Sequence, residues 1–201
     1  MKHVIAFAAA VLFALVSTLA EAQAPMRIRG TITALEGNVL SVKSRDGRDL
    51  KITLADNLRV SATKAITMAD IKPGDYVGSA AMKRSDGALV ALEVHLFPAA
   101  LRGVIPEGHM PWDLEPGSTM TNATLKAVVQ AAGGREMTLE YKDGSQKIVV
   151  PEGVPMATTV PGDRSLLVPG AYVFMVAPVT PDGKISASSI QGSKDGVKPP
   201  Q

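Results

Sequence analysis

Ile71-Lys72-Pro73-Gly74-Asp75-Tyr76-Val77 is echoed 96 residues later by Leu167-Val168-Pro169-Gly170-Ala171-Tyr172-Val173. In both, a Pro-Gly pair closes one element and an aromatic residue opens an alternating run, the pattern of a turn feeding a strand. The same offset of 96 carries Leu50-Lys51-Ile52 onto Gln146-Lys147-Ile148 and Asp86-Gly87 onto Asp182-Gly183. Upstream, Asp46-Gly47 recurs as Asp143-Gly144 at an offset of 97, with Leu40 and Val42 on Met137 and Leu139. The second copy has therefore lost one residue just after its Asp-Gly turn. Anchors in one order with a single slip define a tandem duplication, with modules at 26–97 and 122–192.

Inside the first module the apolar pattern has period two. Ile28, Gly30, Ile32 and Ala34 alternate with Arg27, Arg29, Thr31 and Thr33. Val39 to Lys43 and Leu50 to Leu54 alternate on either side of Asp46-Gly47, as a hairpin does. Thr67 to Ile71 can form one helical turn, and two more strands, Tyr76 to Met82 and Leu89 to Phe97, flank Asp86-Gly87. The expected fold class is all-β: two tandem five-stranded OB-like modules, each with its short helix between the third and fourth strands. An SH3-like or other small barrel remains the alternative. Closure of some kind is required, because so short a meander would leave its edges bare.

Gly30-x-Ile32, the hairpin over Asp46-Gly47, Met68-Ala69-Asp70-Ile71-Lys72-Pro73-Gly74-Asp75-Tyr76-Val77, and Asp86-Gly87-x-Leu89 with Ala91 resemble the small exported bacterial β-domains grouped as DUF5666. The second module is similar more loosely, since Ser165-Leu166-Leu167-Val168 stands where the first has Met-Ala-Asp-Ile. The whole chain, with Gly108 to Leu114 and Met120 to Ala123, also resembles a group of exported proteobacterial proteins that sometimes carry a metal-transporter permease label. A permease needs several spanning helices, so this second resemblance implies at most an accessory role beside a transporter.

Met1-Lys2-His3, the apolar run Val4 to Val16 and the A-x-A ending at Ala22 form the three parts of a secretory signal, residues 1–22, with cleavage expected before Gln23. The run is shorter than the roughly 20 residues a bilayer requires. Later apolar stretches are interrupted by charges, Pro or Gly. Periplasmic localisation is expected, with no membrane span in the mature chain. Cysteine is absent, which removes disulfides and thiol chemistry. Lys and Arg number 21 against 19 Asp and Glu, a net charge of +2. That balance argues against nucleic acid held by bulk charge, and sparse aromatics make a poor base-stacking platform.

The segment 98–121 is a Pro-rich inter-module loop that no repeat explains. It holds the only Trp, Trp112, together with His109, Met110, Asp113 and Met120. His109, Met110, Trp112 and Asp113 are the candidate ligand-binding residues. His109, Met110 and Met120 are candidate ligands for a transition metal, since thioether and imidazole favour copper, although their spacing fits no closed-site signature. In the simplest structural reading, Trp112 and Leu114 dock the loop between the barrels while His109 and Asp113 hydrogen-bond it. His95, in Glu93-Val94-His95-Leu96-Phe97, reads as part of a solvated strand face. The Asp-Gly pairs read as hairpin turns rather than calcium loops, and 193–201 as a flexible tail.

No nucleophile elbow, H-E-x-x-H or glycine-rich phosphate loop is present, so no catalytic residues and no enzyme activity are expected. The leading functional expectation is a non-enzymatic periplasmic binding or interaction protein with its ligand groove between the two modules. Its partner would be a small ligand or an envelope protein, and no cofactor is expected unless the metal reading holds. The alternatives are a metal-handling accessory protein of a transport system and a structural envelope protein whose strand edges pair with a partner.

Overall fold

The alternating runs become strands in the computed structural model, which describes residues 25–199. The signal segment 1–22 lies outside the described residues. In chain order the strands are β1 (Met26–Glu36), β2 (Val39–Ser44), β3 (Asp49–Ala65), β4 (Tyr76–Lys83), β5 (Leu89–Leu96), β6 (Gly108–Pro111), β7 (Thr119–Ala131), β8 (Gly134–Tyr141), β9 (Gly144–Pro151), β10 (Met156–Pro161), β11 (Tyr172–Ala177) and β12 (Ile185–Gly192). The protein is all-β, and among the described residues no helix is long and apolar enough to cross a membrane. A single 3-10 turn precedes β4 (Met68–Asp70), and another precedes β11 (Arg164–Leu166). The second copy thus keeps the turn despite its changed sequence, because Asp163 accepts a hydrogen bond from the Ser165 amide at 2.8 Å and replaces the Thr67–Asp70 capping box of the first.

The strands close in an order that the repeat does not announce. One closed five-stranded barrel runs β1-β2-β3-β12-β11 and back to β1, with β3 and β12 parallel. Five of the remaining seven strands form a second ring, β7-β8-β9-β5-β4, joined by the parallel pairing of β5 with β9, while β6 pairs with β7 and β10 lies between β3 and β5. The last two strands of each sequence module therefore leave their own first three and complete the other's. The hydrophobic cores follow the same division. Ile28, Leu40, Ile52 and Leu54 pack with Val173, Met175, Ile185 and Ile190, while Val77, Leu89 and Val94 pack with Leu125, Met137, Leu139 and Ile148. The modules 26–97 and 122–192 are units of sequence, and each packing unit draws on both.

The cause is the length of β3. A strand expected to stop near Leu54 continues to Ala65, because the turn-forming Asp56-Asn57 is absorbed in a bulge. Opposite β12, the register jumps from Leu54 to Arg59 while its partner advances only from Ala187 to Ser189. The chain is thereby carried out of the first barrel before it can turn. In the second copy Pro151, Gly153 (φ +79°) and Pro155 break the same stretch into β9 and β10. The far half of β3 then pairs antiparallel with β10, Ala65 on Ala157, Thr63 on Thr159 and Ser61 on Pro161. Thr63 and Thr159 are equivalent under the offset of 96, so a pseudo-two-fold axis passes between them, as at the interface of a symmetric dimer.

The expected tail begins as an ordered continuation. The Ser193 amide donates to the Tyr172 carbonyl at 2.7 Å, Ser193 Oγ accepts from the Tyr172 amide at 2.9 Å, and Lys194 bridges Val197.

Two outcomes follow from the exchange. Separately expressed halves, 23–100 and 101–201, should each fail to give a dispersed monomeric NMR spectrum, whereas co-expression should restore one; a well-dispersed monomeric half would refute the exchange. Ile52→Ala in the first core should cost about 2–5 kcal/mol in urea unfolding, against a change within about 0.5 kcal/mol for Val39→Ala on the outer face.

Candidate functional site

The segment 98–121 is fastened first to the second ring. Tyr76 Oη donates to the Ile105 carbonyl at 3.0 Å, and Asn122 Nδ2 to the Pro106 carbonyl at 3.0 Å. The Arg102 guanidinium reaches Thr124 Oγ1 at 2.7 Å and the Gly74 carbonyl at 2.8 Å while lying over the Tyr76 ring. The chain then forms β6, which pairs with the start of β7 from Gly108 on Asn122 to Pro111 on Thr119. Part of the expected irregular loop is thus a strand. Pro111 is tolerated at its end, where the missing N–H costs least.

This ladder divides the candidate metal ligands. His109 faces Thr121, with Nδ1 and Oγ1 2.8 Å apart. Burial pushes the His109 pKa down, so the ring is neutral at neutral pH. Met110 faces Met120, and successive residues of a strand point to opposite faces. His109 therefore does not converge with Met110 and Met120, which corrects the three-ligand set read from the sequence. Among the described residues no group of three His, Cys, Asp or Glu is placed to hold a metal ion.

Beyond Pro111 the hairpin loop 112–118 is folded on itself. The Trp112 amide donates to the Ser118 carbonyl at 2.8 Å, the Ser118 amide to the Glu115 carbonyl at 2.9 Å, and the Glu115 amide to Ser118 Oγ at 3.1 Å. The tip reaches across to the outer face of the first barrel. Asp113 receives both terminal nitrogens of Arg29, Nη1 to Oδ2 at 3.1 Å and Nη2 to Oδ1 at 2.9 Å. Arg45 Nη2 donates to the Asp113 carbonyl at 2.8 Å. Arg27 stacks on Trp112, 4.4 Å from the ring centre, and its Nη1 lies 4.0 Å from Asp113 Oδ2. Trp112 therefore lies on the outer face of the first barrel, not in the groove between the barrels where it was expected to dock.

Arg29 is the residue that sequence reasoning missed. Alternation along β1 puts it on the outward face with Arg27, yet it is only 4% exposed, held between the rings of Phe174 (5.2 Å) and Trp112 (5.6 Å). Its Nε has no hydrogen-bond partner among the described residues. Beside it opens a cavity of about 270 Å³ lined by Arg27, Arg29, Arg45 and Arg48, with Ser44, Asp46 and Asp113. Asp46 is matched to Arg48 at 2.7 Å. Four guanidiniums against two carboxylates leave the cavity positively charged. Arg27-x-Arg29 and Arg45-x-x-Arg48 were visible as a signal, but only the pairing of β1 with β2 brings them together.

The second ring has no such site. Gly30 pairs with Val173 and Ala123 with Val77; since Val173 and Val77 are repeat equivalents, Asn122 occupies the position of Arg29. Gly78 stands where the first barrel has Phe174, and a Cβ there would come within 2.7 Å of the Phe97 ring and 2.8 Å of Asn122 Oδ1. Nearby, His95 is not on a solvated face. Its Nε2 lies 3.2 Å from Glu93 Oε1, with side chains 17% and 6% exposed, because β5 continues into a parallel pairing with β10 and its outer face is covered at the seam.

Compared with family models, curated proteins and solved structures, the chain matches none.

Burial pushes the Asp113 carboxyl up, but the hydrogen bonds and charge of Arg29, reinforced by Arg27, outweigh it and hold the pKa below 3.8. The clamp is therefore fully formed at neutral pH and weakens only as pH falls through that lowered value. In an acid titration followed by Trp112 fluorescence, the red shift of a released loop should have its midpoint below the ordinary carboxylate range; release near pH 6, in the histidine range, would contradict it.

Proposed function

We propose that this chain is a non-enzymatic binding protein of the cell envelope, two OB-like barrels completed by exchanged strands, which takes a small anionic ligand in the arginine cavity. The strand order β1-β2-β3-β12-β11, with its parallel third and fifth members and its turn before the fourth, supports the OB-like reading. The observation that carries the binding reading is the concentration of Arg27, Arg29, Arg45 and Arg48 around one cavity of about 270 Å³.

Guanidiniums close together repel, and the buried Arg29 is desolvated at a cost; a bound anion offsets both. The volume lies just under the roughly 300 Å³ at which drug-sized pockets begin, so it suits a ligand of few heavy atoms. The site thus moves from the inter-module groove anticipated around His109 to the outer face of the first barrel, where Trp112 and Asp113 still contribute.

Calorimetric titration of the protein with succinate, citrate and inorganic phosphate at low salt should give saturable heat with at least one of them. Affinity should fall as salt screens the site, and about tenfold or more in the Arg45→Ala/Arg48→Ala double variant. Absence of heat with all three anions would overturn the reading.

A further inference from the structure

Asp113 holds Arg29 in the manner of a bound carboxylate. Two parallel N–H to O bonds, at 2.9 and 3.1 Å, form a planar fork-to-fork pair, the geometry by which guanidinium selects carboxylate. Arg29 rises from β1 and lies against the Phe174 ring of β11, a barrel-side contact that does not involve the loop, while the Trp112 ring on its other side arrives with Asp113. Asp113 is half exposed, its side chain retaining 48% of its accessibility. It borders the cavity that Arg27, Arg45 and Arg48 share.

The loop that brings Asp113 there is built as a separable unit. Three backbone amides, those of Trp112, Glu115 and Ser118, are bonded within the loop, and it hangs from the β6–β7 ladder. Arg27, Arg29 and Arg45 each grip it from the first barrel through charge or a cation–ring contact. These contacts exchange readily for equivalent ones with a ligand, unlike interlocked apolar packing. The second barrel, with Asn122 at the matching place, has neither the fork nor the occupant.

We propose that Asp113 is a built-in occupant of the arginine cavity, and that the ligand is a small carboxylate which displaces it from Arg29 and releases the 112–118 loop. This rests on the anion-binding reading above and adds its ligand class and a latch. An occupant tethered in the same chain taxes the apparent affinity by the fraction of molecules in which the latch is shut. Removing its charge should therefore tighten binding.

Trp112 is the only Trp, so its emission reports the latch directly. Succinate and citrate would be titrated into the wild-type protein and into Asp113→Asn, by calorimetry and by fluorescence, with inorganic phosphate alongside. A red shift of Trp112 on carboxylate binding to wild type, and binding about tenfold tighter or more in Asp113→Asn, is the expected result. Carboxylate binding with unchanged Trp112 emission and no gain in Asp113→Asn would overturn the latch and leave the anion site standing. Binding of phosphate without either carboxylate would overturn the ligand class. No binding of any anion would overturn the site itself. If Asp113→Asn does not fold, the wild-type fluorescence shift alone decides the latch.

Discussion

The antiparallel pairing of the far half of β3 with β10, centred on Thr63 and Thr159, is the constraint on which the rest of the molecule depends. A three-stranded meander cannot close around a core, and β3 runs too far to let its own fourth and fifth strands return. Closure must come from the other copy. The polar centre of this crossing is satisfied. Thr63 is 1% exposed, and its Oγ1 donates to the Gly192 carbonyl at 3.0 Å and accepts from Gln191 Nε2 at 3.2 Å. No buried group is left to weigh against the seam there.

Exchange of identical elements between copies is the usual route to a swapped dimer. Here both copies lie in one chain, so the exchange is intramolecular and its partner is always present at high effective concentration. The topology also has a local consequence. Because β4 and β5 belong to the second ring, the segment after β5 starts there and returns to it through β6 and β7, and only its 112–118 tip reaches the first barrel. That route brings Asp113 to Arg29 across 84 positions of sequence. The loop gives the two packing units a second contact besides the seam.

The two copies diverge in how they fill one equivalent place on the barrel exterior. In the second ring a neutral Asn122 is enclosed by Phe97 and the Gly78 backbone and donates to Pro106. In the first the same place carries a buried cation between two rings. A buried charge is costly unless paired, and the pairing carboxylate is supplied from outside the barrel by a half-exposed loop. The two matching places thus share a strand register and differ in chemistry.

Period two in Ile28, Gly30 and Ile32, the Asp-Gly turns and the echoed Pro-Gly-x-Tyr-Val were enough to read strands and hairpins, because each is a local rule of backbone and side-chain geometry. The same rules misjudged β3, whose alternating run from Leu50 to Leu54 is only its first part, and His95, whose outward face is covered only once β10 arrives. They also placed His109 and Met110 in one ligand set, although adjacent strand residues diverge. Sequence by itself determined that this protein is all-β and that a segment bearing Trp112 and Asp113 stands outside its echoed strand patterns. Tertiary structure alone decided which strands share a core and that Asp113 meets Arg29, because partner choice in a sheet and the convergence of distant charges depend on where the chain travels after a strand ends, and no local pattern records that.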